Sequence, residues 1–178
     1  MIEEITSRPL YAADVFAVPD FVEPVVAYRK WRIVDGRLRS LYMPAFWTEA
    51  ERRAECRFAP STGPGARTAP HMAPDPTCVC GIYASHKPDY QFPTIDFRGV
   101  TGVVTVWGSI EVHADGLRAE YARVEALALY ERWTIRQLES VRIVAEQLGV
   151  DLIQLDHLET AAGQYGARLP EDLLISIS

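Results

Sequence analysis

Val25-Val26-Ala27-Tyr28-Arg29-Lys30-Trp31-Arg32-Ile33-Val34, then Asp35-Gly36, then Arg37-Leu38-Arg39-Ser40-Leu41-Tyr42-Met43, is the stretch on which the fold turns. The first run is rich in β-branched and aromatic residues, which fit a pleated surface. An Asp-Gly pair between two such runs is the strongest short-range hairpin signal, because both turn positions need positive φ. Counting outward from the turn pairs Ile33 with Leu38 and Trp31 with Ser40 on one face, and Arg32 with Arg39 on the other. The cations Arg29, Lys30, Arg32, Arg37 and Arg39 crowd this one hairpin. Such a basic edge either guards an exposed strand against edge-to-edge pairing or offers a site to phosphate or an acidic partner.

A second hairpin follows downstream. Val104, Val106, Ile110 and Val112 alternate with Thr105, Trp107, Ser109, Glu111 and His113, the period of a half-buried strand, with Gly108 as the gap in the apolar face. Asp115-Gly116 reads as its two-residue turn. The return strand, Leu117 to about Leu129, changes apolar parity near Tyr121-Ala122, which predicts a bulge or bend.

After Trp133 the period becomes helical. Thr134 with Gln137 forms a capping box, Ile135, Leu138, Val141, Ala145 and Leu148 form an apolar stripe, and Gly149 stands where a helix ends. A second capping pattern, Asp156 with Glu159, predicts a shorter helix closed by Gly163 or Gly166, and Leu173-Leu174-Ile175-Ser176-Ile177 reads as a last strand or a docking tail. Residues 1–24, punctuated by Pro9, Pro19 and Pro24, read as an extended arm. The fold expected is α+β: a small, mainly antiparallel β core of two hairpins with a zinc-pinned loop between them. A β domain over residues 1–130 carries a helical extension over 131–178, packed on the same core.

The chemistry concentrates in the joining loop. Cys56, His71, Cys78 and Cys80 read as C-x14-H-x6-C-x-C and use every cysteine of the chain. Two thiolates one residue apart, met by a Cys and a His from across the loop, complete a tetrahedral set that suits zinc. Pro60, Gly63, Pro64, Gly65, Pro70, Pro74 and Pro76 forbid regular structure in between, so the loop needs another fastening. Four protein ligands leave no position for water or substrate, which makes a structural site. Reduced cysteines without metal, or a cysteine nucleophile with a histidine base, are the competing readings. The deaminase pattern His-x-Glu with Pro-Cys-x-x-Cys is absent.

The second hairpin offers the other polar cluster. With the turn at Asp115-Gly116, His113 faces Arg118 and Glu111 faces Glu120, and two apposed carboxylates beside a histidine are candidates for acid/base catalysis. A solvated sheet face relieved by Arg118 and Arg123 is the plain alternative. Trp31, Trp107 and Arg118 are candidate ligand-binding residues for a pocket between the hairpins. His86 and His157 read as surface residues without partners.

Charge narrows the function classes. Eighteen Lys and Arg stand against 24 Asp and Glu, for a formal net charge of −6 in 178 residues. Nucleic-acid binding needs a cationic footprint that displaces counterions, so it is not expected. The apolar content of 48% suffices for a core without disulfides. No run approaches a membrane span, and Met1-Ile2-Glu3-Glu4-Ile5 is acidic where a signal peptide is basic. The expectation is a cytoplasmic protein with a protein partner or a second copy of itself, not a membrane.

The run Cys78-Val79-Cys80-Gly81-Ile82-Tyr83-Ala84, preceded by Cys56 and His71, stands before Gly102-Val103-Val104-Thr105-Val106-Trp107-Gly108 and Gly116-Leu117-Arg118-Ala119-Glu120-Tyr121-Ala122. It resembles a family of small actinobacterial proteins in which a Cys…His…Cys-x-Cys-Gly-Ile/Leu-Tyr-Ala element precedes a Trp-Gly hairpin. The resemblance spans about residues 25–129 and implies a shared zinc-type core, with no activity attached. The function expected is a non-enzymatic, zinc-stabilised binding or adaptor protein. The alternatives are a small hydrolase using Glu111, His113 and Glu120, or a small-ligand sensor with its pocket near Trp31 and Trp107.

Overall fold

The computed structural model describes residues 16–17, 24–41, 43–56, 71–88 and 99–175. Most of the N-terminal arm, the Gly/Pro-rich loop up to residue 70 and the chain end past residue 175 lie outside these, together with the expectations attached to them. Among the described residues the strands are β1 (Phe16–Ala17), β2 (Val25–Val34), β3 (Arg37–Ser40), β4 (Phe46–Trp47), β5 (Glu51–Arg53), β6 (Ile82–Ser85), β7 (Gly99–His113), β8 (Gly116–Leu129) and β9 (Asp151–Gln154). The helices are α1 (Ile135–Leu148), α2 (Leu158–Ala162) and α3 (Glu171–Ile175). The class is α+β, and all the strands belong to one sheet.

The β2–β3 register is Trp31↔Ser40, Arg32↔Arg39 and Ile33↔Leu38. Asp35 at φ 50° and Gly36 at φ 69° make the turn, the pair of positive angles that a tight two-residue connection requires. The second hairpin departs from expectation. His113 pairs with Gly116 and Glu111 with Arg118, so the turn residues are Ala114 and Asp115. Gly116 is a glycine for another reason: a Cβ there would stand 2.2 Å from the Ala84 carbonyl oxygen of β6. Close approach by a third strand, not turn geometry, excludes a side chain.

The sheet closes on itself. β2 pairs with β7, β7 with β8, β8 with β6, and β6 returns to β2 through Tyr28↔Ser85. The basic β3 lies outside this ring and pairs outward with the two-residue β4, which ends the sheet on that side. β8 also receives β5 and, in parallel, β9, a strand absent from the sequence reading. Two register shifts interrupt β7–β8, between Val103 and Val104 and between Trp107 and Ile110. Gly108 lies in the second, so the irregularity expected near Tyr121 falls on the facing strand.

The alternating face of β7 is not solvated. Val100, Val104, Val106, Ile110 and Val112 face one core with Trp31, Leu38, Trp47, Leu127 and the α1 residues Val141, Val144 and Ala145. Val103 faces a second core with Tyr28, Ala126, Tyr130, Leu158 and Ala162. Two hydroxyls on that second face are paired: Tyr130 donates to Thr101 Oγ1 at 2.9 Å, and Thr105 donates to Glu125 Oε1 at 2.6 Å. Trp31 and Trp47 meet edge to face at 5.6 Å, an arrangement worth about 0.5–1.5 kcal/mol beyond burial.

The helical end follows its sequence signals in part. Thr134 caps α1 in a complete capping box with Gln137, and Gly149 ends it at φ 65°. The stripe is rotated: Ile135 in the first turn is 84% exposed, while Val144 joins the core. The Asp156–Glu159 box does not form: a 3-10 turn over Leu155–His157 leads into α2 without a side-chain cap. The tail is helix α3 where it is described, not a strand, with Leu173 and Leu174 against the core. Replacing Thr134 with alanine removes its accepted bond from the Gln137 N–H and is expected to cost about 1 kcal/mol, read as a lowered denaturant midpoint at unchanged slope.

Candidate metal centre

The four sequence-selected ligands converge. One donor atom from each of Cys56, His71, Cys78 and Cys80 lies within 4.8 Å of the others. The Cys56 and Cys78 sulfurs are 3.8 Å apart, and Cys80 Sγ is 3.4 Å from His71 Nε2. A tetrahedral ion with metal–sulfur bonds of about 2.3 Å and a metal–nitrogen bond of about 2.05 Å has edges of about 3.8 Å between sulfurs and about 3.6 Å between sulfur and nitrogen. Two edges of the donor set thus match those of a tetrahedral metal sphere, and all four donors lie within 4.8 Å of one another. The set is too open for a disulfide, whose sulfurs bond at about 2.05 Å, and the three cysteines are free.

Each ligand is placed by local structure. Cys56 follows β5, which is held to β8 and continued by the Ala54 N–H donating to the Glu120 carbonyl at 2.6 Å. Asp75 organises the knuckle: its Oδ1 accepts from the Thr77 N–H at 2.8 Å and the Thr77 hydroxyl at 2.6 Å, and its carbonyl accepts from the Cys78 N–H at 2.8 Å. β6 then starts directly after Gly81, whose absent Cβ would sit 3.1 Å from Arg118 Cβ and 3.2 Å from Pro74 Cβ.

Arg118 is the residue whose place sequence reasoning missed. Its guanidinium donates to the Cys78 carbonyl and, at 3.0 Å, to the Cys80 carbonyl, and it forms an ion pair with Glu111. Arg118 and Glu111 are 5% and 4% exposed. A buried charge pair therefore clamps the backbone of the Cys-x-Cys knuckle from the sheet side. The misplaced turn hid this, since a register centred on Ala114–Asp115 sets Glu111 opposite Arg118.

The apposition of Glu111 with Glu120 is corrected on the same ground. Glu120 accepts from Arg53 at 2.9 Å and from the Ser109 N–H at 3.4 Å, while Glu111 belongs to Arg118. Each carboxylate is held by its own arginine, and the two do not face each other. Trp31, Trp107 and Arg118 do not line one pocket. Trp31 is fully buried opposite Val100, and Trp107 is seven residues farther along β7, about 23 Å away at strand rise, stacked on Tyr121. His86 is not partnerless, for its Nε2 lies 2.7 Å from the His113 carbonyl.

Charge in the cluster calls for a cation. Burial pushes the Cys80 thiol up to about 11, and the neighbouring Cys78 and Cys56 sulfurs push the same way. Burial also acts to raise Cys78, but hydrogen bonds from Cys80, Cys56 and His71 outweigh it and bring that thiol down to about 7. Thiols this close resist joint ionisation, and a bound metal ion resolves the conflict by deprotonating its ligands outright.

His113 sits beside the clamp, its Nε2 accepting from Arg118 Nε–H at 3.3 Å. Burial lowers its pKa below 6.5 and the Arg118 and His86 charges act in the same direction, against the attraction of Glu111. A base held below its unfolded value contributes stability that is full above that value and is lost as pH falls through it toward the folded pKa. Acidification from neutral pH is thus expected to destabilise the wild type more than His113→Gln, compared through paired thermal melts across that interval.

No helix among the described residues is long and apolar enough to cross a membrane. Comparison of the chain with protein-family models, with curated proteins and with solved structures found no match.

Proposed function

We propose that this protein is a zinc-stabilised, non-enzymatic binding or adaptor module, in which the metal fixes a recognition surface and takes no part in chemistry. The observation that carries the reading is the convergence of four protein donors within 4.8 Å of one another, two pairs of them near tetrahedral spacing. Three thiolates and an imidazole favour zinc over harder cations, and a filled sphere leaves a substrate no place on the metal.

The surroundings support a contact role. Met72 beside one ligand and Val79 between two others are each 64% exposed, and Tyr83 is 49% exposed, its hydroxyl donating to the Val79 carbonyl. Large apolar side chains held out on a metal-fixed knuckle suit a protein partner or a second copy of the chain. Kinship with the small actinobacterial proteins belongs to the same proposal and rests on the wording of the shared motif.

Cobalt substitution tests the reading. The cobalt protein is expected to show the intense visible absorption of a four-coordinate site, unchanged on adding azide, alongside about one zinc per chain in the native protein. A spectrum that shifts with azide reveals an open coordination position and transfers the case to metal-dependent catalysis.

A further inference from the structure

The three thiols of the metal centre are not equivalent. Cys56 and Cys78 are half-buried, and their sulfurs lie 3.8 Å apart. Cys80 is 5% exposed, its sulfur is 3.4 Å from His71 Nε2, and Arg118 holds its carbonyl at 3.0 Å. A dissolved oxidant therefore meets Cys56 and Cys78 before Cys80.

The sheet fixes this pair independently of any metal. β7 occupies one edge of β8, and β6 and β5 follow each other along the opposite edge, opposite residues 116–119 and 121–123. Cys56 leaves the end of β5 and Cys78 stands just before β6, so pairing to β8 keeps the two close whether or not an ion bridges them. A disulfide draws the sulfurs in by about 1.75 Å, a travel within reach of rotation about the two Cα–Cβ bonds. A Cys78–Cys80 link would instead close a small ring around Val79 in a backbone that Arg118 holds at both carbonyls, and strained links reduce readily.

We propose that Cys56 and Cys78 form an oxidation site at which a peroxide makes a disulfide, so that the tie between β5 and the knuckle passes from metal to covalent bond. One thiol attacks a peroxide oxygen, the O–O bond breaks, and water leaves behind a sulfenic acid. The second thiol attacks that sulfur, the S–S bond forms, the S–O bond breaks, and a second water departs with the remaining thiol proton. Two electrons pass from the sulfurs to the peroxide, and where the sulfurs start as metal-bound thiolates the solvent supplies both protons.

The loss of metal that follows rests on the zinc reading. With two sulfurs neutral in a disulfide, His71 and Cys80 remain as donors, too few to close a zinc sphere. His71 and the adjoining Met72 then lose their fastening, whereas Arg118 still holds the backbone on either side of Val79. Oxidation thus changes one side of the exposed apolar surface and spares the other.

The test treats the intact, zinc-loaded chain with hydrogen peroxide beside a chromophoric chelator too weak to strip the reduced protein, then blocks free thiols and maps the digest by mass spectrometry. About one zinc is expected to appear per disulfide formed, with a Cys56–Cys78 cross-linked peptide, a blocked Cys80, and recovery of zinc binding on adding a dithiol. The same cross-link is expected in the chelator-stripped wild type and in Cys80→Ser. These metal-free forms separate the two claims: a native protein without zinc overturns the metal reading, and the peptide map still decides the pairing. A disulfide that joins Cys80 to either partner, sulfinic acids without a cross-link, thiols left free by excess peroxide, or a cross-link formed with zinc retained overturns the proposal.

Discussion

Replacing Cys80 with serine is expected to abolish stoichiometric metal binding and to lower the melting temperature by about 10 °C. A metal bound by the four residues would tie Cys56 to Cys80, and closing a loop of about 25 residues is worth about 3.5 kcal/mol on the chain-entropy formula. At about 2–4 °C per kcal/mol for a chain of this size, that cross-link accounts for the expected fall. Cys80 is the buried member of the set, so its loss also leaves a hydroxyl in an apolar place. Elemental analysis with calorimetry measures both effects. A chelator should reproduce the shift in the wild type and add nothing in Cys80→Ser. Full metal content and an unchanged melting temperature in the variant would falsify the metal centre.

Arg118→Met is expected to cost about 3–5 kcal/mol, because it strands the Glu111 carboxylate as an uncompensated buried charge. Apart from that ion pair, Glu111 has no hydrogen-bond partner among the described residues. The same change frees the Cys78 and Cys80 carbonyls, and losing support of this kind commonly weakens metal affinity by about 10–100-fold. The double variant Glu111→Leu/Arg118→Met separates the two effects. Removing both charges should restore most of the folding stability, since apolar replacements of buried pairs are often neutral, while metal affinity stays low. Denaturant titration and competition with a chromophoric chelator follow each quantity. Wild-type metal affinity in the double variant would mean that Arg118 has no part in holding the knuckle.

Much of the architecture was legible where the physics is local. The Asp35-Gly36 turn needs positive φ at two adjacent positions, and few dipeptides supply it, so the register of β2 on β3 followed by counting. The Thr134–Gln137 box and Gly149 mark α1 because caps satisfy backbone groups within a few residues of themselves. Asp115-Gly116 carried the same dipeptide and misled, since Gly116 answers a strand from elsewhere in the chain. β9 was invisible because it is a short edge strand paired in parallel with β8, with no alternation strong enough to announce it.

By itself the sequence determined the donor set, the class and the helix, for these rest on residue chemistry and short-range geometry. Cys56, His71, Cys78 and Cys80 are candidate ligands by type and spacing before any fold is known, and the fold brings them together. Only the tertiary structure decided which charges meet. A one-residue displacement of one turn shifted the register by two and took Glu111 from Glu120 to Arg118, and the fold set Arg29 beside two tryptophans and near a second arginine. Pairings of this kind depend on the register between strands distant in sequence, and a period-two pattern states which face a residue occupies but not which neighbour it finds there.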